Sequence, residues 1–146
     1  MNRTKIASIE ITNRKIYINA VLSFLDSLAA TSKTMDYSRY NRLRYVAAEM
    51  LKHRIERAYP GAEGVITAEF FVAENYFEFS VRDKGVPSWT DVSVDKEKKD
   101  SNGNESLRDT LLNYMTDGFG MEKLGKHGQR IFVRLDTKHQ IVFKKP

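Results

Sequence analysis

The sequence predicts an α+β domain within the broad α/β class. We expect a two-layer sandwich in which a mixed, mostly antiparallel sheet carries its helices on one face. Stretches of strand and helix periodicity follow one another as strand, two helices, two strands, loop, helix and two strands. Apolar residues concentrate on one side of these elements, so the sheet needs a cover on one face. The length of 146 residues suffices for one such core, and we expect residues 1–146 to form a single domain.

The first predicted elements are a strand and a helix. Lys5 to Ile11 alternates weakly between apolar and polar residues, which indicates a strand at an edge of the sheet. Asn13 belongs to a residue type that favours the N-cap of a following helix. From Tyr17 to Ala30, apolar residues recur three and four positions apart. This spacing predicts a helix that packs one face into the core.

A second, longer helix is predicted from Ser38 to Tyr59, where Pro60-Gly61 supplies a strong stop signal. Its apolar stripe consists of Leu43, Val46, Ala47, Met50, Leu51, Ile55 and Ala58. Arg54 falls within this stripe by its angle around the helix. Snorkelling, in which the charged end reaches water along an apolar stem, would account for its position.

Three polar residues run beside the apolar stripe of the second helix. Glu49, His53 and Arg57 are spaced four apart, so their side chains lie along one edge of the helix. Such an edge is either a solvated charge ladder or a surface that faces a ligand. The spacing alone does not choose between the two interpretations.

The next two elements are predicted to form a β-hairpin. Val65 to Val72 is rich in β-branched and aromatic residues, and Tyr76 to Asp83 alternates with period two. This alternation predicts one covered face and one wet face. The covered face would carry Phe77, Phe79 and Val81, and the wet face Glu78, Ser80 and Arg82.

The second strand of this hairpin places the carboxylate of Asp83 at its end, immediately before Lys84-Gly85-Val86-Pro87. Polar groups on loops at strand ends are a common setting for functional sites. Many Asp-x-Gly segments are only turns, because both residue types suit turn geometry. Asp83 is therefore either a site residue or an ordinary turn residue.

The remainder of the chain predicts a loop, a helix and two strands. Ser93 to Glu105 is dense in charge and predicts a mobile loop, and Leu107 to Met115 predicts a third helix. The glycines from Asp117 to Gly128 lack the spacing of a phosphate loop, so we predict a connector there. Arg130 to Leu135 and Gln140 to Phe143 are predicted to pair as a closing hairpin.

The composition excludes several classes of site. The chain has no cysteine, and its three histidines show no His-x-x-x-His spacing, so neither a disulfide nor a thiolate or histidine-pair zinc site is expected. No apolar run could span a bilayer, and the N-terminus lacks the apolar core of a signal peptide, which predicts a cytoplasmic protein without membrane contact. The net charge of +5 suits a nucleic acid, an anionic nucleotide or an acidic protein partner, and does not select among them.

Three local patterns, together with the order of elements, resemble the histidine-kinase-like (GHKL) ATPase fold. Within that superfamily, the likeness is strongest to the small bacterial anti-sigma-factor serine kinases. The patterns are Glu49 to Tyr59 on the second helix, Val81 to Pro87 at the strand end, and Gly128 to Val133 at the start of a later strand. The likeness runs from about Ile6 to Leu135.

The resemblance implies roles for particular residues. Asp83 would accept the amino group of adenine, and Gly85 would let the backbone approach the base. Glu49 would be the catalytic base that polarises an attacking hydroxyl. The residues assigned to the nucleotide site are His53, Arg57, Asp83, Gly85 and Pro87.

Two departures from the family pattern weaken the case for catalysis. His53 stands where the family has an asparagine that binds Mg²⁺, and imidazole is a poor ligand for that ion. The second glycine box of the family should precede Leu107, where only Asn102-Gly103-Asn104 is found. Because a Mg²⁺–triphosphate clamp supplies much of phosphoryl-transfer catalysis, we expect weak kinase activity or none.

The sequence therefore supports two main functional hypotheses. The first is an ATP- or ADP-binding regulatory domain of the anti-sigma-factor serine-kinase type, with a regulatory protein as its partner. The alternative is a degenerate protein-interaction module of the same fold that no longer binds nucleotide. A nucleic-acid binder is disfavoured, because the basic residues form no single stripe along the sequence. Homodimerisation through the first helix or strand is an expectation from the family only.

Overall fold

The computed structural model describes residues 3–31, 36–87, 107–114 and 117–136. The predicted loop from Ser93 to Glu105 and the predicted strand from Gln140 to Phe143 lie outside these ranges. The strands and helices are β1 (Thr4–Thr12), α1 (Ile18–Thr31), α2 (Tyr37–Arg57), β2 (Val65–Val72), β3 (Tyr76–Asp83), α3 (Leu107–Tyr114), β4 (Phe119–Lys123) and β5 (Gln129–Asp136).

The described residues form a sheet of five strands in the order β1-β2-β3-β5-β4, and every neighbouring pair among them is antiparallel. This α+β arrangement confirms the predicted fold class, and β1 lies at an edge as predicted. The prediction of a connector from Asp117 to Gly128 was wrong, because β4 lies within it. Phe119 and Met121 alternate towards the core opposite Val133 and Ile131, and this five-residue strand is too short for its period to stand out among the glycines.

The core lies between one face of the sheet and the helices. Phe70 and Phe79 pack ring against ring at the centre of the sheet, with centroids 5.3 Å apart. The ring of Phe24 in α1 packs against Phe70 from the helix side of the sheet, with ring centroids 5.1 Å apart. Each apolar residue predicted for the α2 stripe is buried, which confirms the period of that helix: Leu43, Val46, Ala47, Met50, Leu51, Ile55 and Ala58.

Of the two residues that precede the long helices α1 and α2, one caps its helix and the other does not. Asp36 caps α2 by accepting a hydrogen bond from the amide of Ser38 at 3.0 Å. The prediction that Asn13 caps α1 was wrong, because that helix begins at Ile18 after a short 3₁₀ turn. The Asn13 side chain instead donates to Ala62 O at 2.9 Å and accepts from Gly64 N at 3.1 Å. Asn13 thus holds the end of β1 against the loop that precedes β2.

The sheet face opposite the core is covered by its own long side chains. The prediction that Glu78 and Ser80 lie on a wet face was wrong, since both are fully buried. Glu78 receives hydrogen bonds from Arg130 at 2.8 Å, from Arg134 at 3.0 Å and from Arg3. These guanidinium groups also lie over the rings of Phe71, Phe132 and Tyr76. Stacked arginine stems exclude water from the carboxylate below them.

Two further glutamates on this outer face are stabilised in their charged form. Burial alone would raise the pKa of Glu69, but the hydrogen bond from Lys5 and the charge of Arg82 outweigh it and lower the pKa. A hydrogen bond from Arg130 lowers the pKa of Glu122 below its ordinary value. Both carboxylates therefore contribute more stability when ionised than when protonated.

A carboxylate whose pKa is lowered by folding stabilises the protein above its unfolded pKa and loses that contribution as the pH falls through its folded pKa. We therefore expect the free energy of unfolding to decrease as the pH falls below the ordinary glutamate value of 4.5. Urea denaturation at about pH 6 and about pH 3.5 measures the decrease. The decrease should be smaller in Glu69→Gln than in the exposed control Glu74→Gln. Equal decreases in the two variants would contradict this assignment.

Candidate functional site

The candidate site lies where β3 ends beneath α2. Asp83 is the last residue of β3, and it lies on the helix-facing side of the sheet, two residues after Val81. Its side chain is 1% exposed. Arg54 of α2 contacts the carboxylate with two parallel hydrogen bonds, from Nε to Oδ2 at 2.7 Å and from Nη2 to Oδ1 at 2.9 Å. This is the bidentate geometry that makes arginine–carboxylate pairs strong and specific.

Two more donors contact the same carboxylate. Gln129, the residue paired with Asp83 across β5, donates to Oδ1 from Nε2 at 3.0 Å, and the amide of Gly85 donates to Oδ1 at 2.8 Å. Oδ1 therefore accepts three hydrogen bonds and Oδ2 accepts one from the described residues. A carboxylate offers about four acceptor positions in total. Asp83 is thus close to saturated by the protein itself.

The loop after β3 is fastened to the C-terminal end of α2. The amide of Val86 donates to Ala58 O at 2.6 Å, and Arg54 Nη2 donates to Val86 O at 2.6 Å. A Cβ atom added to Gly85 would lie 2.1 Å from Ala58 O, so only glycine permits this approach. The glycine of the Asp-x-Gly segment therefore has a packing role between loop and helix.

The other predicted site residues lie along one edge of α2 and at the end of the loop. Their spacing of four places Glu49, His53 and Arg57 along one edge of α2. Exposure differs along this edge: Glu49 is partly exposed, His53 is buried and Arg57 is exposed. Pro87 is exposed. The structure thus brings Asp83 and Gly85 into contact with α2, the helix that also carries Glu49, His53 and Arg57.

Sequence reasoning missed two residues of this site, Arg54 and Gln129. The prediction that Arg54 snorkels was wrong, because its side chain is fully buried and paired with Asp83. A charged group within an apolar stripe almost always requires a buried partner of opposite charge, and this rule could have suggested a carboxylate. Gln129 lies within the third local pattern, Gly128 to Val133, but the pattern gave no sign of its bond to Asp83, which depends on the register of β5 against β3.

The described part of the chain holds no group of three or more histidine, aspartate or glutamate side chains that could bind a metal ion. Within the same residues, no helix is long and apolar enough to cross a membrane. The groups that meet at Asp83 are a buried carboxylate and its arginine, glutamine and backbone amide donors.

Comparison of the chain with known protein families gives one match. The family model of the histidine kinase-like ATPase domain matches residues 11–128. This range includes every residue assigned to the candidate site from the sequence. No curated protein matches the chain. A match to an ATPase domain implies nucleotide binding in general, and it does not identify the anti-sigma-factor kinases within the superfamily.

The arrangement of Asp83 fits an adenine base only in part. An amino group needs a carboxylate oxygen with an unused acceptor position, and Oδ1 has none left. Among the described residues, Oδ2 accepts a single hydrogen bond, from Arg54, but the Asp83 side chain is enclosed. A base can therefore reach Asp83 only after the Arg54 guanidinium has moved away from it.

The close contact at Gly85 leads to a stability prediction. Gly85→Ala places a methyl group against the backbone of Ala58, and we expect a loss of about 1–3 kcal/mol in the free energy of unfolding. Urea denaturation followed by circular dichroism measures this loss. The matched control is Lys84→Ala, at an exposed position in the same loop, which should change stability by less than about 0.5 kcal/mol. Equal stability of Gly85→Ala and the wild type would contradict the packing role.

Proposed function

Because the chain belongs to the histidine kinase-like ATPase domain family, we propose that it is a regulatory domain that binds ATP or ADP. The observation that carries this proposal is the position of Asp83. It is a buried carboxylate at the end of a central strand, followed two residues later by a glycine that packs against α2. In the proposal, Asp83 accepts the adenine amino group, and Gly85 keeps the loop close enough for the base to stack beside it.

The finer assignment is to the anti-sigma-factor serine-kinase type, with weak phosphoryl transfer or none. Glu49 is partly exposed on α2 and is available as the base for a hydroxyl group. His53 supplies no hard oxygen for Mg²⁺ at the position one turn further on. His53, Arg57 and Pro87 line the nucleotide site in this proposal, which requires no bound metal. The domain would act in the cytoplasm on a regulatory protein partner.

One observation favours a second candidate function. The carboxylate that should recognise adenine is already paired with Arg54 and bonded by Gln129. If this pair never opens, the domain is a protein-interaction module that has kept the fold without the nucleotide. Removal of one partner from a buried ion pair typically costs about 3–5 kcal/mol, so opening the pair is a substantial barrier to binding.

Nucleotide titration of the full chain tests the proposed function. We expect ATP and ADP, and not GTP, to raise the melting temperature, because a ligand that binds only the folded state stabilises it. The shift should be the same with and without Mg²⁺. Calorimetric titration then gives the affinities directly. The absence of any heat or thermal shift at millimolar ATP would contradict nucleotide binding and support the interaction module.

Asp83→Asn tests the residue that recognises the base. We expect the affinity for ATP to fall by about 1.5–3 kcal/mol, which is the value of a hydrogen bond to a charged group. Calorimetric titration measures the loss, and circular dichroism checks that the variant is folded. Asp136→Asn, at an exposed position at the end of β5, is the matched control and should bind ATP like the wild type. An unchanged affinity in Asp83→Asn would refute the assignment.

A further inference from the structure

We propose that Arg54 is a resident competitor for the base-binding carboxylate, so that it sets the affinity of the site for nucleotide. This inference rests on the proposed function in one respect, namely that Asp83 is the group that a base would contact. Nucleotide binds at Asp83 only in the fraction of molecules whose Arg54–Asp83 pair is open.

The contacts of Arg54 show why it competes with a base. Its guanidinium supplies N–H donors to both oxygens of Asp83, at 2.7 and 2.9 Å. An exocyclic amino group of a base would bring the same kind of donor to the same acceptors. The Arg54 side chain is 1% exposed, so it fills the space directly beside the carboxylate. Arginine and base therefore cannot occupy the carboxylate together.

Arg54 also controls the loop next to the carboxylate. Its Nη2 donates to Val86 O at 2.6 Å, one residue beyond the glycine that packs on α2. Gln129 bonds the same loop at Gly85 O, at 3.1 Å. Release of Asp83 by Arg54 would also remove one of the two described side-chain donors to the Val86 carbonyl, and Gln129 Nε2 would remain 3.4 Å from it. Opening of the carboxylate consequently weakens one of the bonds that hold the loop.

The bonding of Arg54 within the described part of the chain is incomplete. Arg54 Nη1 is buried, and none of the described residues accepts a hydrogen bond from it. A buried donor without an acceptor is unfavourable, and a well-packed apolar residue often stabilises a core position as well as an ion pair does. The incomplete bonding of Arg54 lowers the barrier to opening relative to a fully satisfied pair. This is the property that a residue displaced by a ligand requires.

The expected change in the affinity for ATP follows from the fraction of molecules in which the Arg54–Asp83 pair is open. The apparent dissociation constant equals the intrinsic constant divided by the fraction of molecules that are competent to bind. Arg54→Met removes every donor, and its flexible apolar side chain can turn away from the carboxylate without breaking a hydrogen bond. We expect Arg54→Met to bind ATP more tightly than the wild type by a factor of about ten or more. The double variant Arg54→Met, Asp83→Asn should lose this gain.

Calorimetric titration of ATP and GTP into full-length wild type, Arg54→Met and Arg54→Lys tests the inference. Circular dichroism and melting curves establish that each variant is folded. Arg54→Lys keeps the charge but cannot bond both oxygens, so it should bind ATP with intermediate affinity. If Arg54→Met does not fold, an affinity of Arg54→Lys above that of the wild type supports the inference, and an equal or lower affinity overturns it.

The outcomes separate this inference from the proposed function. ATP binding by Arg54→Met without binding by the wild type would support the competitor role and refute nucleotide binding by the native chain. Equal binding by wild type and folded Arg54→Met would overturn the competitor role and leave the proposed function standing. Failure of both to bind would overturn both. A merely structural role for Arg54 would change the melting temperature and leave the affinity for ATP unaltered.

Discussion

The buried pair of Arg54 and Asp83 is the interaction on which the arrangement of the site depends. It joins the last turn of α2 to the end of a central strand, in a place where neither charge reaches water. Through Gln129 the same carboxylate is bonded to β5, and through Gly85 and Val86 the loop follows the helix. A charge of this kind is stable only when each neighbour is correctly placed, so the pair determines the relative position of three elements.

The two faces of the sheet are covered by different physical means. On one face the helices bury apolar side chains in the usual way. On the other, arginine stems lie over aromatic rings and enclose the carboxylate of Glu78. Period-two patterning predicted β1 and β3, in which both faces alternate, but it missed the short β4. It predicted the outer face wrongly because residue polarity does not reveal whether long neighbouring side chains will cover a glutamate.

Much of the fold was therefore predictable, and the centre of the site was predictable only in part. The stop signal at Pro60 and the apolar stripe of α2 are local properties, and the structure agrees with both. Asp83 could be proposed as a site residue because it ends a strand before a glycine. Its pairing with Arg54, 29 residues earlier in the chain, could not, because it depends on how the helix crosses the sheet. Asn13 shows the same limit. Its residue type favours a helix N-cap, but its hydrogen-bond partners at Ala62 and Gly64 are distant in sequence and hold it at the end of β1 instead.

The outer face also determines which substitutions the chain can accumulate. Glu78 is shared by three arginines, Arg3, Arg130 and Arg134. Loss of any one arginine leaves the carboxylate with two partners and an enclosed position. Loss of the carboxylate leaves three neighbouring cations without their common counter-charge. Evolutionary drift at this cluster is therefore asymmetric: the arginines can be exchanged one at a time, whereas the glutamate can change only together with several of them.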